Sequence, residues 1–352
     1  MEYTYHQRKT DPFNTGKKAK QTSNGYVFRF EPIAEVNDHW TLRARIDATG
    51  DLRHDTTTDF NLVRGWAQGD YKIGNNDLQF KFGRQPLYTN EDGIVWDTEY
   101  SGAEITFGKM SDGLRATIYG GRLAAGKVGG SMRNSGSWNG RQDGVSAHDR
   151  WAEAAGSVGN YTESGLREDP SSFFAINVQY DPGKKGILGG LGYYNIKDDD
   201  LKYMGEVDGV KIPNYFYSDK GNTNKAQIWS VNLGYRLGKG QIWGSYAKNT
   251  KADYENKSWQ LLARYGDLYG GGNQGTHKGQ WAVWAGYKYL GSNASFNAIQ
   301  WDDAYAGTKG FVAGASWAPF DRIVVLAKYF KGKYIEGPGD AERLFGRVEF
   351  FF

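Results

Sequence analysis

Histidine is the first residue to examine for chemistry, because its imidazole titrates near neutral pH and ligates metals. The chain has five: His6, His39, His54, His148 and His277. They are scattered, and no HExxH or GxSxG surrounds any of them, so a triad or zinc site would need several loops to converge. His39 abuts a short turn, and His54, His148 and His277 fall in segments that read as exposed loops. Gly270, Gly272 and Gly275 satisfy GxGxxG, but Trp281 to Tyr287 then alternates like a strand, so no helix N-terminus follows to hold a pyrophosphate. A glycine loop fits better. Asp198, Asp199 and Asp200 could offer oxygens to calcium, yet an ordered site needs several more ligands, so a solvated loop is the simpler reading, as it is for Asp302 and Asp303. No catalytic residue, metal or cofactor is expected.

The charged residues carry more information. Arg29, Glu31, Arg43, Arg45, Asp47, Lys81, Arg84, Glu104, Arg115, Arg236, Lys288, Arg343 and Arg347, with Glu349, fall mostly on the polar phase of segments whose other phase is apolar. Arg84 follows Gly83 and needs a bulge to share that phase. Val27, Arg29 and Glu31 interleave with Tyr26, Phe28 and Phe30; beyond a turn at Asn37-Asp38, Leu42, Ala44 and Ile46 alternate with Arg43, Arg45 and Asp47. Two such strands form a hairpin with one wet and one greasy face.

Sixteen runs of this kind are predicted: 2 to 8, 25 to 36, 39 to 51, 59 to 73, 77 to 85, 98 to 109, 113 to 123, 171 to 180, 186 to 197, 225 to 237, 240 to 249, 279 to 290, 293 to 302, 309 to 319, 322 to 333 and 341 to 352. Short turns, including Gly238 to Gly240 and Gly291 to Asn293, alternate with longer connections, of which 124–170, 198–224 and 250–278 are the largest. Trp259 to Tyr265 is also apolar, but adding it alone would move later short turns to the wrong rim, so it is assigned to the 250–278 loop, as a short helix capped by Ser258. The expectation is an all-β, transmembrane, antiparallel up-and-down barrel of about 16 strands over residues 1–352 as one domain, with short periplasmic turns and long extracellular loops. Trp40, Tyr71, Tyr180, Tyr235, Trp243, Tyr289 and Trp317 fall near strand ends, where rings could form two interfacial girdles.

Composition agrees. The chain has 352 residues, 15% aromatics, 49 Gly, 8 Pro and no Cys. Mean hydropathy is −0.68, with no stretch near the roughly 20 apolar residues of a membrane helix. A barrel strand shows lipid only every second residue, so this average is compatible with it. A net charge of +3 gives no reason to expect a nucleic-acid partner, and the absence of cysteine excludes disulfides and thiolate metal sites. Met1 precedes Glu2-Tyr3-Thr4-Tyr5 with no apolar leader pattern, as expected for a mature segment carrying an added methionine.

The segment Phe82-Gly83-Arg84-Gln85-Pro86-Leu87 resembles the Gly-Arg-Gln strand end of several porin families, and the ending Arg347-Val348-Glu349-Phe350-Phe351-Phe352 resembles the terminal signal of outer-membrane barrels. Through that ending, the chain resembles the barrel domain of the OmpM porin-tethers of diderm Firmicutes. The resemblance implies a homotrimer in the bacterial outer membrane, here without the S-layer-homology domain and stalk that tether those proteins to the cell wall.

The function expected is a water-filled channel for small hydrophilic solutes and ions, in contact with outer-membrane lipid, with the charged set above lining the pore. Opposed charges on the wall would set up a transverse field, and a basic excess would favour anions. The connection from Ala124 to Pro170 is long enough either to fold in as a constriction or to cover the mouth. Two readings of other classes stay open: an outer-membrane barrel enzyme, which needs a Ser, His and carboxylate brought together, and a soluble carbohydrate-binding β protein, whose aromatic rings would fill a core.

Overall fold

The computed structural model describes residues 1–11, 16, 18–52, 59–87, 92–96, 98–123, 171–207, 210–213, 217–296, 303–336 and 339–352. Alternation carries most of them into strands. In chain order these are β1 Glu2–Asp11, β2 Ala19–Phe30, β3 Trp40–Asp51, β4 Asp59–Ile73, β5 Asn76–Leu87, β6 Thr98–Gly108, β7 Gly113–Leu123 and β8 Ser171–Asp181. There follow β9 Lys185–Lys197, β10 Lys225–Leu237, β11 Gly240–Asn249, β12 Lys257–Gly266, β13 Trp281–Leu290, β14 Thr308–Phe320, β15 Ile323–Tyr334 and β16 Asp340–Phe350. Ile33–Glu35 prolongs β2 beyond Pro32, which has no N–H to give the ladder. A small separate hairpin, Tyr203–Val207 with Val210–Pro213, lies between β9 and β10.

Each strand pairs antiparallel with its neighbours in sequence order, and β1 pairs with β16 from Glu2 opposite Glu349 to Asp11 opposite Asp340. The result is a closed 16-strand antiparallel barrel with no free edge. β10 shows how sequence sets the two faces: Trp229, Val231, Leu233, Tyr235 and Leu237 are exposed outward, while Ala226, Ile228, Ser230 and Asn232 are buried on the inner side. An outward apolar band of this extent, repeated on strand after strand, suits hydrocarbon and not water. The rings do not form a soluble core: Phe311 is 70% and Trp229 59% exposed.

The hydrophobic core lies inside the barrel, against one part of the wall. Ile94, Val95 and Trp96, from the connection between β5 and β6, and Phe296, Ala304 and Tyr305, between β13 and β14, are buried with wall residues such as Phe173, Ile228 and Phe330. Trp96 lies 6.4 Å from Phe173 and 6.2 Å from Phe296, ring centre to ring centre. Burying a side chain such as Phe296 contributes about 1.5–3 kcal/mol, so these connections are held inside by packing.

Several expectations need correction. Trp259 to Tyr265 belongs to β12, with Trp259, Leu261, Ala263 and Tyr265 outward and Ser258, Gln260 and Leu262 inward, so 250–278 is not one loop. Conversely, residues 291–296 turn instead of extending, which removes the short turn at Gly291 to Asn293 and the start of the strand expected over 293 to 302, whose remainder lies outside the described residues; β13 pairs directly with β14. One strand lost and one gained leave the total at sixteen. Trp243 points inward, buried beside Tyr269 and Arg264, and is no girdle residue. Tyr180, Tyr235 and Trp317 do project outward.

Candidate pore and its constriction

Besides the β13–β14 connection, two connections fold into the lumen where the sequence suggested only loops. The first is the described part of the β5–β6 connection, Asp92 to Trp96. The second joins β12 to β13 at the rim that otherwise carries tight turns, and runs through the Gly270-Gly271-Gly272 stretch of the GxGxxG match. Its Tyr269 ring packs edge-on against Trp243 and Trp284, and its hydroxyl lies 3.5 Å from Asp92 Oδ2, so the two segments meet. Gln260 reaches the same carboxylate at 3.4 Å. Glycine has a local reason here: Gly271 has φ +142°, and a Cβ added there would stand 2.7 Å from Arg347 Nη2 and 2.9 Å from Glu349 Oε2.

Between these segments and the facing wall lies a cavity of about 520 Å³. Four guanidinium groups line it, Arg29, Arg45, Arg64 and Arg347, together with four carboxyl groups, Glu2, Glu31, Asp92 and Glu349. The wall charges are interlocked. Arg29 donates from Nη1 to Glu2 at 2.5 Å and from Nε to Asp47 at 3.2 Å. Arg45 makes a fork on Asp47, with Nε 2.8 Å from Oδ1 and Nη2 2.5 Å from Oδ2. Arg64 donates to Glu99 at 3.0 Å. Arg347 pairs with Glu349 at 3.0 Å and donates to the Gly270 carbonyl at 2.9 Å, while the Gly272 N–H donates back to Glu349 at 3.0 Å. The last pair of bonds ties the inward connection to β16. In this lining the two signs balance, and each guanidinium is fixed by an acid.

Asp92 is the carboxyl contributed by the inward connection. Burial pushes it up to about 6, against the pull of Lys288 and Arg264 and with the help of Asp303. It borders the cavity and keeps partial exposure, which works against that burial.

The other predicted residues separate into groups. Lys81, Glu104 and Arg115 meet around a smaller cavity of about 170 Å³ between β5 and β8, where Lys81 pairs with Glu104 at 2.7 Å and Arg115 donates to Gln179 at 2.9 Å. Arg236 is inward and pairs with Asp181 at 2.7 Å. Arg43 shares the inward phase of Arg45 and donates weakly to Thr41 at 3.5 Å. Arg343 faces inward beside His6, at 3.2 Å. Lys288 points inward but is 2% exposed under the β13–β14 connection, paired with Asp303 at 2.9 Å, so it anchors that connection and lines no open space. Arg84 is a correction of phase. The β5 ladder runs without the bulge it needed, Phe82 and Arg84 share the outward side, and Arg84 Nε donates to the Val63 carbonyl at 2.8 Å. The bulge sits across the ladder, on β4.

That bulge also hid Arg64, because at Val63 the β4 alternation slips by one residue; the successive apolar pair Leu62-Val63 was the available signal. Glu2 and Asp92 carried none. The Ala124 to Pro170 connection, the expected constriction or cover, lies outside the described residues, as do His54 and His148. Among the described residues, no cluster of three or more His, Asp or Glu side chains forms a metal site.

No protein-family model matches the chain, and no curated protein matches it. Solved structures do. Salmonella typhi OmpF, in a complex with daunomycin, is 12% identical with a TM-score of 0.51, over 99% of this chain and 97% of that one. OmpT lacking loop L8, an outer membrane protein of Vibrio cholerae, is 12% identical with a TM-score of 0.49, over 99% and 97%. A mutant of the Rh. blastica porin is 11% identical with a TM-score of 0.47, over 99% and 98%. At such identity the likeness to OmpF speaks to fold alone, and the fold it supports is the closed sixteen-stranded barrel of a bacterial porin.

Proposed function

We propose that this protein is a porin of the bacterial outer membrane, a passive channel for small hydrophilic solutes and ions, with residues 1–352 acting as one barrel domain. The observation that carries the reading is a charged, partly exposed cavity inside a closed barrel whose outer surface is apolar. Arg29, Glu31, Arg45, Asp47, Arg347 and Glu349 form the wall of the constriction, and Asp92 with the glycine connection forms its inner side. Lys81, Glu104 and Arg115 line a second stretch. Fixed charges of both signs on facing surfaces order water and favour dipolar solutes, with modest preference between anions and cations. The tight-turn rim faces the periplasm and the loop rim the exterior, as in outer-membrane barrels generally.

Membership among the OmpM-type porins, and the homotrimer this implies, rest on the motif resemblance; native electrophoresis in mild detergent tests the trimer. The pore reading is tested by planar-bilayer recording with a salt gradient. Discrete conductance steps with a small reversal potential are expected. A purified, folded barrel that inserts and passes no current overturns it.

A further inference from the structure

The outer face carries a charge pattern that the channel does not use. At the loop-rim end of the sheet, lysine stands directly opposite lysine on neighbouring strands in four places. Lys9 faces Lys20 across β1 and β2, and Lys197 faces Lys225 across β9 and β10. Lys248 faces Lys257 across β11 and β12, and Lys309 faces Lys333 across β14 and β15. All lie on the outward phase, just past the apolar band. Lys248, Lys257 and Lys309 are two residues from outward Tyr246, Trp259 and Phe311, and Lys225 and Lys333 are four from Trp229 and Tyr329. Two residues of strand are about 7 Å, so the ammonium groups stand one layer above the aromatic rings, at headgroup depth.

Like charges set directly across a ladder repel and weaken the pairing. A sheet that repeats the arrangement four times, at one rim only, has a use for it. Among the described residues none of these eight lysines has a carboxylate within ion-pair distance, although on β16 Glu342 stands opposite Lys9 and Asp340 opposite Lys333; both acids are engaged by Lys18. At the opposite rim two turn lysines are paired locally, Lys72 with Asp77 and Lys239 with Asp267, and no lysine stands directly opposite another among the described residues. Beside the Lys309–Lys333 pair, the outer wall also holds a groove of about 440 Å³, with Phe311, Ala313 and Tyr329 along its apolar part and Lys331, Lys333, Asp340 and Glu342 at its lip. Its apolar part suits an acyl chain, while the two acids at its lip are engaged by Lys18.

We propose that this collar is a binding surface for phosphorylated lipid of the outer leaflet, each lysine pair clasping a headgroup phosphate and the groove seating a chain. The proposal rests on the barrel lying in a membrane, and not on its passing solutes. A phosphate between two ammonium groups replaces their repulsion with two charge-assisted contacts, which at headgroup depth remain open to screening by salt. Lipid of this kind thereby stiffens the part of the sheet that the lysines would otherwise loosen.

The test uses the full chain in neutral detergent, with bound lipid counted by native mass spectrometry. The probes are bis-phosphorylated lipid A, phosphatidylcholine and inorganic phosphate. Wild type is expected to retain lipid A in preference to phosphatidylcholine and to lose it at high salt. Lys248→Gln with Lys257→Gln, Lys309→Gln and Lys333→Gln should bind it at least about tenfold more weakly, while the corresponding four Arg replacements preserve binding. Equal binding by the Gln variant, equal retention of phosphatidylcholine, or displacement by inorganic phosphate at comparable concentration overturns the proposal. So does a change of oligomeric state in the Gln variant with lipid binding intact, which would make the occupant a second copy of the chain. Conductance of the same samples is read separately, so a silent channel defeats the porin reading without deciding this one.

Discussion

The Lys288–Asp303 pair gives the most direct handle on the constriction. Both side chains are almost fully buried, 2% and 4% exposed, and the ammonium stands 2.9 and 3.2 Å from the two carboxylate oxygens. Asp303→Leu removes one partner and leaves a buried cation, which typically costs about 3–5 kcal/mol when nothing relaxes. The barrel ladder need not bear that cost, because the β13–β14 connection can swing out and let water reach Lys288. At about 1.4 kcal/mol per decade, a loss of 3 kcal/mol changes the ratio of seated to released connection by about a hundredfold. Asp303→Leu should therefore show excursions to a higher conductance level, or a raised mean conductance, in single-channel records. Its electrophoretic heat shift should stay that of a folded barrel. Lys288→Met with Asp303→Leu removes both charges at once and should return the quiet record. A single mutant with wild-type conductance and noise, or a double mutant as noisy as the single, refutes the anchoring role.

Asp92, pushed up to about 6 by burial, should be ionised at pH 7.5 and largely protonated at pH 5, so cation preference should fall as pH drops through that window; Asp92→Asn should abolish the change in reversal potential. Because its folded value lies above its unfolded one, Asp92 contributes stability below about pH 4 that is lost as pH rises through 6, and the Asn variant should flatten that part of a pH-dependent melting profile. Arg45→Ala leaves Asp47 bonded to Arg29, and should shift the reversal potential toward cations with the barrel intact; no shift would place Arg45 away from the conduction path. Gly271→Val forces a Cβ onto Arg347 and Glu349 in a backbone conformation that suits glycine, so it should displace the β12–β13 connection and alter conductance, read in the same recordings.

The barrel was legible in the sequence because its alternation is local: each strand announces its own faces, and an error in one place does not spread. Trp259 to Tyr265 illustrates the limit. The parity argument that excluded it assumed a short turn at Gly291 to Asn293, and Gly, Ser and Asn mark a tight turn and a longer inward connection equally well. The wall charges were recovered by phase, except where a bulge broke it, at Val63, hiding Arg64 and leaving Arg84 outward. The inner side of the constriction was not legible. Asp92 and Tyr269 are 177 positions apart, and only the closed barrel brings them within reach.

The seam between β1 and β16 matters for how the pore comes into being. Glu2 and Arg29 sit on one side of that seam and Arg347 and Glu349 on the other, and the Gly270 to Gly272 stretch docks against the pair on β16. A barrel still open there has a long unpaired edge and also only part of its charged eyelet, so closure and filtering arise in one event. The contacts that complete it join the two ends of the chain, the slowest kind to find. An unfinished barrel is therefore an unselective gap in the wall, and a cell that inserts this chain has reason to admit it only once the last strand has arrived.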